Sequence, residues 1–89
     1  MNASTVKLSS PIVHREDLWF VVYGFGWGFR AFEISADTAR TELGAANGSP
    51  QQLTLAFELG RQRIAKAVKA MTFDYRGERI ALRPQDLRL

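Results

Sequence analysis

The 89-residue chain reads as an α+β domain of order ββ-α-α-ββ, a four-stranded antiparallel sheet with two helices on one face. Three observations predict it. Two runs of aromatic and β-branched residues, "LWFVVY" (18–23) and "FRAFEIS" (29–35), flank a glycine-rich stretch, the pattern of a hairpin. After residue 49 the apolar side chains recur at helical spacing. A second strand pair, "TFDYRGERIALRP" (72–84), closes the chain, and strand runs set apart from helix runs mark the α+β class.

Residues 1–17 form an arm ahead of a single domain at 18–89. The "VKL" of the arm is a candidate extra edge strand, and Pro11, Ile12 and Val13 bring apolar material to pack. "LWFVVY" is apolar on both faces, which suits a central strand. The ten residues "YGFGWGFRAF" (23–32) admit three readings. A dinucleotide fingerprint needs G-x-G-x-x-G between a strand and a helix, whereas Gly24, Gly26 and Gly28 follow G-x-G-x-G with a strand behind. An RNA-recognition strand starts on a basic residue, here Tyr23, and needs a strand, a helix and a strand ahead of it, which twenty-two residues cannot hold. A hairpin remains, its glycines supplying positive φ and bulge geometry.

Ser35 reads as the N-cap of a short helix with Asp37 in its first turn, Ala36, Ala39 and Leu43 inward, and Gly44 as its stop. "SPQQ" (49–52) starts the second helix: Ser49 caps, Pro50 takes the first position and Gln52 completes a capping box. Leu53, Phe57, Ile64, Val68 and Met71, with Ala56 and Ala67, make one apolar stripe along a rod of roughly 30 Å that crosses the sheet. Gly60 in its middle costs about 1 kcal/mol relative to alanine, so it marks a close backbone contact or a weak point. In the closing hairpin, residues 72–75 form one arm, Arg76 and Gly77 turn, and residues 78–83 return with Ile80 and Leu82 inward. Pro84 ends the strand, and Leu87 and Leu89 fold back onto the core.

Composition narrows function by exclusion. With 46% apolar and 24% charged residues the chain is globular, not disordered. The absence of cysteine excludes disulfides, thiolate zinc and a cysteine nucleophile, and favours a reducing compartment. "MNASTVKLSS" lacks the apolar core of a signal peptide, and no apolar run reaches the ~20 residues of a membrane helix, so a cytoplasmic protein is expected. His14 is the only histidine, which rules out a multi-histidine metal site; beside Arg15, Glu16 and Asp17 it reads as solvated. No catalytic, cofactor or metal constellation is present, and a non-catalytic module without a cofactor is expected.

Two surfaces are candidates. With helices over one sheet face, Leu18, Phe20, Val22, Phe32 and Ile34 point into the core. Trp19, Val21, Tyr23 and Phe29 then face away, joined by Phe25 and Trp27 in the hairpin loop. An exposed apolar face of this kind marks a contact surface. The N-terminal arm, a second copy in a homodimer, or a ligand or nucleic acid are the three ways to cover it. The other surface is basic. Residues 1–60 hold four basic and six acidic side chains, whereas residues 61–89 hold eight basic and three acidic ones. Arg61, Arg63, Lys66, Lys69, Arg76, Arg79 and Arg83 form a candidate anion-binding surface able to neutralise phosphates. The alternative is that cations near a helix C-terminus favour its dipole and keep a small domain soluble.

From Phe32 onward the chain resembles a bacterial family of domains of unknown function, number fourteen-eighty-eight. "FEISADTARTEL", then "AFELGRQRIAKAVKA" with Phe57, Arg61 and Ile64, then "GERIALRPQDL" with Gly77, Asp86 and Leu87 carry the resemblance. The glycine-aromatic hairpin departs from that family's pattern, and Gly60 stands where relatives often have histidine. The resemblance implies a bacterial, cytosolic α+β domain, and brings no reaction, cofactor or site.

Overall fold

The computed structural model describes residues 6–24, 28–70 and 79–88. Five strands, β1 (Val6–Leu8), β2 (Ile12–His14), β3 (Asp17–Gly24), β4 (Gly28–Ser35) and β5 (Ile80–Leu82), make one sheet. Four helices, α1 (Ala36–Glu42), α2 (Pro50–Leu59), α3 (Arg61–Ala70) and α4 (Pro84–Leu87), accompany it. The chain is α+β as expected, but the sheet is mixed rather than a four-stranded antiparallel one.

The difference lies at the two edges. β5 pairs parallel to β4, Phe32 opposite Ile80 and Ile34 opposite Leu82. Three helices separate these strands in sequence, and a chain that crosses a sheet face before rejoining its neighbour can run parallel to it. The expected hairpin partner at residues 72–75 and the turn at Arg76 and Gly77 lie outside the described residues. At the other edge the arm joins the sheet: β1 pairs with the far half of β3 and β2 with the near half, both antiparallel. The described part of the arm, residues 6–17, therefore extends the sheet instead of lying across the aromatic face.

β1 and β2 are one strand interrupted by a bulge. Leu8 stands opposite Val22 and Ile12 opposite Trp19, so Ser9, Ser10 and Pro11 face only Phe20 and Val21. Ser9 stitches the gap: its N–H donates to the Val21 carbonyl at 2.8 Å, and its Oγ accepts from the Val21 N–H at 2.9 Å. The extra residue inverts the alternation. Val6, Leu8 and Val13 turn toward the core, and Ile12 is left outside, 68% exposed.

The β2–β3 hairpin turns on Arg15 and Glu16 between the paired His14 and Asp17, with Arg15 at φ 59°. Arginine in this region is disfavoured by about 1–2 kcal/mol, a clash glycine avoids at some entropic cost. Arg15→Gly is expected to raise stability by about 0.5–1 kcal/mol in urea denaturation; a loss would show that this turn is not strained. In the β3–β4 hairpin Gly24 is paired with Gly28, which has φ +70°. The hairpin holds, with positive φ at Gly28 and not at Gly24, and residues 25–27 lie outside those described.

Capping follows the sequence closely. Ser35 accepts from the Thr38 N–H, and Gly44 follows α1 at φ +82°. Ser49 accepts from the Gln52 N–H ahead of Pro50. The capping box is not completed. Asn47 Oδ1 already takes the Ser49 N–H at 2.9 Å, and Gln52 Oε1 accepts from Ala46 instead.

The expected long rod is two ten-residue helices meeting at Gly60. A Cβ at Gly60 would lie 2.9 Å from Leu43 Cδ2, so the end of α1 packs directly on this backbone. Both halves keep the described part of the stripe buried, Leu53, Ala56 and Phe57 on α2 and Ile64, Ala67 and Val68 on α3, while Met71 lies outside the described residues. They close over Leu18, Phe20, Val22, Phe32, Ile34 and Leu82 from the sheet, and Leu87 of α4 is fully buried beside them.

Candidate interaction face

The sheet surface turned away from the helices is built by strict alternation on β3 and β4. Trp19 stands opposite Glu33, Val21 opposite Ala31, and Tyr23 opposite Phe29. Outward from β3 the register adds Ile12 and Lys7, and beyond β4 it adds Ala81. The face has two unlike ends.

At the base, Trp19 is half-buried by polar neighbours. His14 stacks on its ring at 3.9 Å with an interplanar angle of 24°, and the Arg79 guanidinium lies 4.0 Å from its ring centre. Arg79 is held there by donating Nη1 to the Phe32 carbonyl at 3.0 Å. Cation–aromatic contact of this type contributes roughly 0.5–2 kcal/mol. His14 is exposed, and its ring lies on Trp19, a contact the charged local sequence did not announce.

Toward the hairpin tip the face is bare. Tyr23 and Phe29, 6.2 Å apart between ring centres, are 51% and 62% exposed. Between the two ends the small Val21 and Ala31 pair leaves a low step. Of the six residues expected on this face, Trp19, Val21, Tyr23 and Phe29 share it, while Phe25 and Trp27 lie outside the described residues. Ile12 belongs to it as well, and only the bulge reveals this.

The basic residues are dispersed, and most are engaged internally. Arg61 donates Nη1 to the Leu8 carbonyl at 3.0 Å, pairs with Glu58, and lies 5.1 Å from the Phe57 ring centre. The hydrogen bonds that Arg61 donates to the Glu58 carboxylate draw that carboxyl below its ordinary range, against a smaller opposing effect of burial. Arg63 donates to the Glu42 and Leu87 carbonyls, tying α3 to the ends of α1 and α4. Arg79 is taken up at Trp19. Arg83 pairs with Asp86, which also accepts from the Arg83 N–H at 2.9 Å and so caps α4. Lys66 and Lys69 are exposed on α3, and Arg76 is outside the described residues.

Burial raises the Asp86 carboxyl, but side-chain and backbone bonds from Arg83 together outweigh it and leave the group below its ordinary value. A depressed folded value contributes stability above the unfolded carboxyl's ~3.9, which is lost as pH falls through the folded value. Acidification below about pH 4 should therefore lower the urea midpoint, and Asp86→Asn should remove part of that dependence. An unchanged acid limb in Asp86→Asn would contradict the cap.

No group of three or more histidine, cysteine, aspartate or glutamate side chains among the described residues could hold a metal. No helix among them is long and apolar enough to cross a membrane. Comparison with protein-family models, with curated proteins and with solved structures finds no match.

Proposed function

We propose that the chain is a non-catalytic interaction module that self-associates as a homodimer through the outer face of its sheet. One observation carries this reading: Ile12, Tyr23 and Phe29, all more than half exposed, share the face opposite the helices. Aromatic rings bury ~150–250 Å² each, and exposed apolar patches of a few hundred Å² mark contact surfaces. The charges favour a second copy. Lys7 stands beside Tyr23 at the tip end, whereas Asp17 and Glu33 stand toward the base, where Arg79 is already engaged by Trp19. A two-fold axis through the Val21 and Ala31 step sets the Lys7 of each copy over the carboxylate end of the other. The likeness to the bacterial family numbered fourteen-eighty-eight, and a cytoplasmic location, belong to the same proposal. The alternative, a weak nucleic-acid or anion binder on the 61–83 surface, would rest mainly on Lys66 and Lys69 among the described residues. The described arginines of that surface, Arg61, Arg63, Arg79 and Arg83, are spent on internal acceptors.

Sedimentation velocity tests the proposal. The wild-type chain is expected to dimerise at or below about 100 μM. Phe29→Glu should be monomeric with its stability within about 0.5 kcal/mol of wild type, because the ring it removes is exposed. A monomeric wild-type protein over that range, or a Phe29→Glu dimer, overturns it.

A further inference from the structure

The edge strand β1 and helix α3 border an open groove of about 490 Å³, lined by Val6, Lys7, Leu8, Arg61, Gln62 and Ala65. The register sets the direction of the β1 backbone. Ser9 donates to the Val21 carbonyl, so Lys7, two residues back, also exchanges bonds with β3, while Val6 and Leu8 direct their N–H and C=O groups outward. Arg61 reaches the Leu8 carbonyl from that outer side and occupies it. Among the described residues nothing bonds the Val6 carbonyl or the Leu8 N–H. The walls are basic. Lys7 is exposed on one side, and α3 adds the exposed Lys66 and Lys69; Arg61 is paired with Glu58, and Arg63 is turned to Glu42 and Leu87. Gln62, Lys66 and Lys69 follow at helical spacing on one face, so the wall that lines the groove continues into both lysines.

We propose that this groove takes an extended, carboxylate-bearing peptide segment that adds to β1 as a parallel strand. One residue of that segment donates its N–H to the Val6 carbonyl and accepts from the Leu8 N–H, the two-bond bracket of parallel pairing, without displacing Arg61. The small Ala65 side chain leaves room for the segment, and carboxylates meet Lys7, Lys66 and Lys69. A nucleic-acid strand answers the charge but has no backbone N–H for the Val6 carbonyl, so a peptide fits better. This edge shares only Lys7 with the aromatic face, so a peptide probe is also titrated against Phe29→Glu, where binding should persist without dimerisation.

The probe is a fluorescein-labelled octapeptide of alternating valine and glutamate, read by anisotropy at low salt. Controls are a valine–lysine octapeptide, a version with proline at alternate positions to remove N–H donors, and an oligothymidylate of equal charge. The valine–glutamate probe should bind at least about tenfold tighter than each control. Ala65→Arg fills the groove while adding positive charge, and should weaken the probe by about tenfold or more. Amide exchange at Leu8 should slow on binding. No binding by the valine–glutamate probe, equal binding to Ala65→Arg, or an oligothymidylate that binds as tightly overturns the proposal.

Discussion

Replacing Phe57 by alanine is expected to lower the unfolding free energy by about 3–5 kcal/mol. Phe57 is fully buried on α2 and meets Phe20 edge-on at 4.9 Å between ring centres. It joins the helix layer to the middle of the central strand. The Arg61 guanidinium also lies against its ring, so truncation loosens the group that holds the Leu8 and Ser9 carbonyls of the sheet edge. Domains of this size have about 5–15 kcal/mol in total, so the loss is a large fraction of the whole and should lower the urea midpoint clearly. Urea denaturation followed by tryptophan fluorescence reads it. Leu59→Ala, at a side chain 78% exposed, should stay within about 0.5 kcal/mol of wild type. A Phe57→Ala loss below about 1 kcal/mol would mean that the helix layer is not seated on the sheet through this ring.

The second large effect is expected at Arg63. Arg63→Ala should cost about 1–2 kcal/mol although its side chain is 46% exposed, more than the loss of a cation without such partners. Its guanidinium serves the carbonyl at the end of α1 and, at 2.7 Å, that of Leu87, and lies 3.9 Å from the Glu42 carboxylate. The Glu42 side chain is only 9% exposed, with Arg88 at 2.9 Å as its remaining cation. Removing Arg63 strips two carbonyls and half the charge compensation of a largely buried carboxylate. Lysine should rescue poorly, because one ammonium cannot reproduce the planar fork that spans two helix ends. Lys66→Ala, one turn along on the exposed side, should be near neutral. In a double-mutant cycle with Glu42→Gln, coupling of about 1 kcal/mol or more is expected; equal, small costs at Arg63 and Lys66 would make Arg63 an ordinary solvated cation.

These two side chains show what is legible in a sequence of this kind. Phe57 is readable: apolar stripes at helical spacing must be buried, and it sits in the middle of one. Arg63 is not. On α3 it stands among Arg61, Lys66 and Lys69, and nothing in that run separates a staple from a solvated charge. The acceptors that separate them lie 21 to 53 residues away for Arg61 and Arg63. The same division runs through the aromatic face. The alternation on β3 and β4 was legible, whereas the stack of His14 and Arg79 on Trp19 depends on two strands docking around it.

By itself the sequence determined whatever is decided within a few residues. The caps at Ser35 and Ser49, the stop at Gly44, the glycine hairpin and the inward set Leu18, Phe20, Val22, Phe32 and Ile34 all follow from hydrogen bonds and side-chain periodicity of short range. The tertiary structure alone decided the parallel placement of β5, the contact that Gly60 serves and the choice of Val13 over Ile12 for the core. Each turns on a partner distant in the chain: β4 for β5, Leu43 for Gly60, Val21 for the bulge at Ser9. A residue's own neighbours set its conformation, but which backbone edge, cavity or carbonyl it meets is settled only when separate segments pack together and exclude water.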